Sequence, residues 1–130
     1  MTHARHLLCT IAIAAAASGC GRKDSDYLPA ADAAKQSLLA ALTAWSEGKP
    51  PSSSDTTPKR QFADFQQAAG KRLKSFRLLD EQSTVEASNQ VFRVEIVVEG
   101  HRTEEVKYHV VGIDPLWIIR DRDFKQASME

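Results

Sequence analysis

The chain has 130 residues, with 17 Lys and Arg against 17 Asp and Glu. That length suits one domain with its own core, and a formal net charge of zero gives no general attraction to nucleic acid. The two cysteines, Cys9 and Cys20, lie near the N-terminus, so the body of the chain has no disulfide framework and must hold by packing.

Residues Met1–His6 carry Arg5 and no acid, and Leu7–Ala17 is a run of eleven uncharged, largely apolar residues. As a helix that run would measure about 17 Å at ~1.5 Å per residue, short of the ~30 Å hydrocarbon core. A positive start, a short apolar run and small residues at a break mark a secretory leader that is removed. The break is Ala17, Ser18, Gly19, Cys20, and this stretch resembles the lipobox of bacterial lipoproteins. The resemblance implies cleavage between Gly19 and Cys20, a diacylglyceryl thioether on Cys20 and acylation of the freed amine, with the covalent lipid as the only cofactor. Two or three acyl chains anchor stably where one is marginal, at about 0.8 kcal/mol per buried CH₂. Cys9 leaves with the leader, so mature Cys20 has no intramolecular partner, which suits lipidation better than free secretion. Gly21 stands where an aspartate retains some such lipoproteins at the inner membrane. The resemblance therefore implies a lipid-anchored protein of the cell membrane or the outer membrane, Gly21 favouring the outer one, with the domain outside the cytoplasm.

Residues 20–28 are polar and without period, and read as a tether. Pro29 suits the first turn of a helix, and Ala31, Ala34, Leu38, Leu42 and Trp45 then recur at spacings of three and four until Gly48 and Pro50 stop the run. That face predicts a long helix covering its own core, with Trp45 as the large anchor. Lys49–Pro58 is a connection of prolines, serines and threonines. Gln61–Ala69, with Phe62 and Phe65 three apart and Gly70 at its end, predicts a short helix.

From Lys74 the period becomes two. Phe76 and Leu78 alternate with polar neighbours; Phe92, Val94, Ile96 and Val98 alternate with Arg93, Glu95, Val97 and Glu99; Val106, Tyr108 and Val110 alternate with Glu105, Lys107 and His109. Gly100 and Gly112–Pro115 mark turns, Leu116–Arg120 is the last strand, and the chain from Asp121 is polar, with residues 125–130 as a tail. The expected fold is α+β: one domain over residues 29–124, in which a long N-terminal helix packs on a four-stranded antiparallel meander sheet whose other face is mostly wet.

The ending Val106–Phe124, with its Tyr108 and its Gly112, Asp114, Pro115 turn, resembles that of small uncharacterised bacterial lipoproteins, as do the tryptophan-bearing helix and the Gly70–Leu73 approach to the first strand. Those proteins look like members of the cystatin-like or nuclear-transport-factor-2-like class. The resemblance implies a helix on a curved antiparallel sheet and assigns no activity.

Charge is segregated: Lys59–Arg77 holds six bases against Asp64, and Asp80–Glu105 holds seven acids against Arg93 and Arg102. Read as solvated faces, the blocks neutralise one another across the fold; read as a docking face, the basic block rests on anionic lipid headgroups. No nucleophile elbow, phosphate loop or paired zinc ligands occur. His101 and His109 alone give no metal site. Asp80 or Glu95 with Tyr108 would be the acid–base candidates of an isomerase-like pocket, but Glu95 falls on the strand face opposite Val94 and Ile96, and Asp80 at a polar strand end. The leading expectation is a non-enzymatic lipoprotein that binds an envelope partner or supports an envelope assembly. The alternative is a small-molecule pocket between the first helix and the sheet, walled by Trp45 and Tyr108.

Overall fold

The computed structural model describes residues 27–128. The leader, the Ala17–Cys20 stretch with its Gly19 and Cys20, and the tether up to residue 26 lie outside the described residues.

Helix α1 (Ala31–Ser46) starts after an extended Ala30, so Pro29 stands just outside it rather than in its first turn. It closes in a Schellman arrangement. Gly48, at φ +76°, donates its N–H to Trp45 O at 3.2 Å, and Lys49 N–H reaches Ala44 O at 2.8 Å, which satisfies the last carbonyls. Ala34, Leu38, Ala41, Leu42 and Trp45 are buried, each large one contributing about 1.5–3 kcal/mol. Ala31, at the head of the expected stripe, is exposed.

That stripe lies on one face of a curled, mixed sheet of six strands: β1 (Arg60–Ala63), β2 (Leu73–Leu78), β3 (Thr84–Glu86), β4 (Asn89–Val98), β5 (Glu104–Val111) and β6 (Leu116–Arg120). A single turn of helix, α2 (Phe65–Ala68), joins β1 to β2, and α3 (Asp121–Ser128) follows β6. The order is β1-β6-β5-β4-β2, with β3 also on β4. The ladders are antiparallel except β1 on β6, which is parallel with Arg60 opposite Leu116. Inward positions of β4 and β5, among them Phe92, Val94, Ile96 and Tyr108, fill the core beneath α1.

The α+β class stands, but the sheet is larger than four antiparallel strands. The short helix expected over Gln61–Ala69 is divided: its first part is β1, and only Phe65–Ala68 is helical. Asp64 causes the division. Its backbone is extended (φ −147°, ψ 123°) and its Oδ1 accepts the Gln66 N–H at 2.8 Å, so the helix begins after it. Phe62 turns into the core and Phe65 turns away, under the guanidinium groups of Arg120 and Arg122 at 4.6 and 4.2 Å from its ring centre.

Of the expected tail, residues 125–128 belong to α3 instead. The face of the sheet expected to be wet is covered there: the Phe124 ring stacks on His109 with centroids 4.2 Å apart. His109, expected to face out, is 4% exposed.

Beyond α3 the outer face is charged and paired. Arg93 holds Asp80 with two bonds of 2.7 and 3.0 Å and reaches Glu105 at 3.5 Å, and Arg77 meets Glu95 at 3.3 Å. Solvent screens such exposed pairs, so each adds little to stability. Of these, only Arg77–Glu95 joins the basic block to the acidic one; the Arg93 pairs lie within the acidic block.

The β5–β6 turn requires glycine. Gly112 sits at φ +94°, and a Cβ there would lie 2.7 Å from Pro115 O. The same turn gathers three segments: Gly112 N–H donates to Tyr27 O at 2.7 Å, Lys59 N–H donates to Asp114 Oδ1 at 2.9 Å, and Leu116 N–H donates to Lys59 O at 2.8 Å.

Candidate functional site

Trp45 and Tyr108, expected at the wall of one pocket, lie on the same aromatic row with Phe62 between them. The Trp45 and Phe62 rings are 6.0 Å apart and the Phe62 and Tyr108 rings 5.7 Å. Tyr108 is fully buried. Trp45 donates Nε1–H to Lys71 O at 2.8 Å and borders a shallow surface depression of about 570 Å³ that Tyr108 does not reach. Phe62, brought in by β1, fills the space a cavity between the two would need.

The acid–base candidates are also kept apart. Asp80 and Glu95 lie on the outer face with Arg93 and Arg77. The hydrogen bond from Arg93 and its charge hold the Asp80 carboxyl below its usual range, despite some cost of burial. A general base for proton abstraction needs the opposite shift.

The Tyr108 hydroxyl instead leads to a buried polar cluster at the end of the sheet where β1 and β6 finish. Tyr108 donates to Asp64 Oδ2 at 2.6 Å. Asp64 Oδ1 takes the Gln66 N–H as helix cap and faces Arg120 Nη1 at 3.4 Å. Arg120 also donates to Gln66 Oε1, and to Glu104 Oε1 at 3.2 Å. The Asp64 side chain has no exposure and that of Arg120 6%; Glu104, at 42%, is the member that reaches solvent. Burial, then the Asp64 charge and its hydrogen bond, push the Tyr108 phenol well above its usual range, so it stays a neutral donor. Chemically the cluster is a clamp that joins β1, α2, β5 and β6. Its carboxylate is engaged on both oxygens and shut from solvent.

Neither Asp64 nor Arg120 was singled out from the sequence, although both left a trace. Asp64 is the one acid in the basic block and precedes a short helix as caps do. Arg120 continues the inward set Leu116, Ile118 at period two, and a charge at an inward position requires a buried partner.

A second cluster pins α3. Asn89 Nδ2–H donates to His109 Nδ1 at 3.2 Å, which leaves Nε2 to donate to Asp121 Oδ1 at 2.7 Å. Both ring nitrogens are therefore engaged, and the imidazole offers none to a substrate. Burial opposes the Asp121 charge, but hydrogen bonds from His109 and Lys125 and the charge of Lys125 outweigh it, so the carboxyl titrates below its usual range. A carboxyl depressed on folding gives stability that is present above its unfolded value of ~3.9 and is lost as pH falls through the lower folded value. The Asp121 contribution to the docking of α3 should accordingly be present above about pH 4 and be lost below it, with less change over that acid range in Asp121→Asn. The Phe124 ring resonances, followed by NMR through that range, report it.

Among the described residues no group of three or more His, Cys, Asp or Glu converges as metal ligands, and no helix is long and apolar enough to cross a membrane. Compared with known proteins, the chain matches no family model, no curated protein and no solved structure. Its function has to be argued from its own residues.

Proposed function

We propose that the chain is an exported lipoprotein, cut before Cys20, anchored through lipid on that residue, and carrying a non-enzymatic module that binds an envelope partner. The observation that carries the proposal is the Ala17, Ser18, Gly19, Cys20 stretch after a short apolar run. The domain behind it is of the cystatin-like or nuclear-transport-factor-2-like kind, a reading supported by α1 lying across a curled sheet. Its membrane is the outer one, on the strength of Gly21.

The binding role is supported by where the polar chemistry lies. The Asp64 carboxylate and the His109 ring are buried and engaged, and Asp80, Glu95 and Glu105 on the outer face are paired with arginines. The sheet edges differ. β1 is partly covered, because Ser53 and Arg60 exchange backbone bonds of 2.8 Å and Phe62 N–H reaches Ser52 Oγ at 2.9 Å. Among the described residues β2 pairs only with β4, so its far edge offers free backbone groups to an incoming strand. A small-molecule pocket between α1 and the sheet is the competing reading, and the position of Phe62 weighs against it.

Palmitate labelling in a lipoprotein-processing bacterium tests the anchor. The wild-type chain should take up label and Cys20→Ser should take up none; continued labelling of the serine variant would remove the proposal. Crosslinking in intact envelope should then return a partner held at β2, and repeated recovery of the chain alone would count against the binding role.

A further inference from the structure

Four large apolar side chains stand in solvent among the described residues: Tyr27 at 43% exposure, Val85 at 54%, Ile113 at 53% and Trp117 at 44%. Val85 is isolated on β3. The other three gather around Gly112: its N–H holds the Tyr27 carbonyl, Ile113 follows it directly, and a Cβ placed on it would lie 3.9 Å from Trp117 Cδ1. Beside them runs an apolar groove of about 450 Å³ walled by Pro29, Ala30, Pro58, Ile113 and Leu116. The acid at its rim, Asp114, has Oδ1 turned to the Lys59 N–H. β5 and β6 run from this end to the other, where Glu104, Arg120 and Arg122 line a small charged depression. The molecule thus gathers most of its exposed large apolar side chains at one end, beside the exposed Asp114 and Lys59, and has a charged depression at the other.

We infer that the apolar end rests on the bilayer surface, with Tyr27, Ile113 and Trp117 entering the interfacial zone. This rests on the lipid anchor proposed above and adds which face of the domain the anchor brings down. Two observations select lipid as the occupant. Seven peptide steps from Cys20 to Tyr27 reach at most about 25 Å, whatever path they take, so acyl chains on Cys20 hold the membrane close to the end where the patch lies. The residue types suit that zone as well, since tryptophan and tyrosine settle at headgroup level with an apolar body and a polar tip. A second copy or an envelope protein would cover the same atoms, but neither accounts for the patch lying where the tether joins the domain.

The experiment uses the full mature lipidated protein in phosphatidylcholine vesicles whose acyl chains carry bromine near the carbonyl end. Trp45 and Trp117 are the two tryptophans; Trp45 is buried in the core and supplies an unquenched background. The expected result is a blue shift and bromine quenching of part of the emission, both lost in Trp117→Phe, a conservative change at a half-exposed position. Protein that floats with the vesicles but is not quenched overturns the inference and leaves the anchor standing. Equal quenching of wild type and Trp117→Phe overturns it as well, as does an emission shift that follows protein concentration instead of bromolipid, which would assign the patch to a second copy. Protein that does not float at all overturns the anchor and this inference with it.

Discussion

Asp64→Ala should lower the free energy of unfolding by about 3–5 kcal/mol, the range for breaking a buried ion pair from one side. Three losses coincide at this one carboxylate. The cap of α2 goes, worth about 1 kcal/mol alone. The Tyr108 hydroxyl, fully buried, loses its acceptor. Arg120, with its side chain 6% exposed, keeps Gln66 and Glu104 but loses its buried counter-charge. Tyr108→Phe separates the terms, because it removes one donor and leaves the carboxylate its cap and its arginine; it should cost about 1–2 kcal/mol. Urea unfolding measures both, and at a slope of ~1–3 kcal/mol per molar the alanine variant should move the midpoint by more than about 1 M. An Asp64→Ala loss no larger than that of a lone cap would mean the cluster is not a clamp.

Trp45→Ala should cost about 3–5 kcal/mol, the range for removing a large aromatic from a core. Trp45 is 4% exposed, meets the Phe62 ring and donates to Lys71 O. It thereby fixes the C-terminal end of α1 both to β1 and to the segment leading into β2. Trp45→Phe keeps a ring at the contact and gives up the N–H bond, so it should recover most of the loss. The remaining deficit, about 1 kcal/mol, reports the hydrogen bond. Thermal unfolding of the three proteins side by side decides between packing and hydrogen bonding as the main contribution of this residue.

What was legible in the sequence was whatever local period encodes. The stripe from Ala34 to Trp45 repeats every three or four residues and is buried; β4, β5 and β6 alternate at period two, and their inward residues make the core. What was not legible depended on distant partners. β1 is four residues long and pairs with β6 across more than fifty residues of sequence, so nothing in its own pattern betrays it, and the i, i+3 spacing of Phe62 and Phe65 imitated a helix. β3 is three residues long and exposed throughout, with no alternation to read. α3 looked like a tail because its burial comes from His109, a residue that period two had assigned to a wet face. The Asp64 cluster was hidden for the same reason: Tyr108 and Arg120 are opposite one another on β5 and β6, but Asp64 is distant in sequence and reaches them through the parallel β1–β6 pairing. The anchor proposed at Cys20 is different in kind, because it rests on the linear stretch Ala17 to Cys20 alone and draws nothing from the fold.

The most direct test of the lipoprotein account is the mass of the mature N-terminal peptide, released by protease from protein purified out of membranes of a lipoprotein-processing bacterium. The account predicts a peptide that begins at Cys20 and carries a diacylglyceryl thioether with an acylated amine. A mature chain that begins at any other residue, or begins at Cys20 with a free thiol, would contradict it.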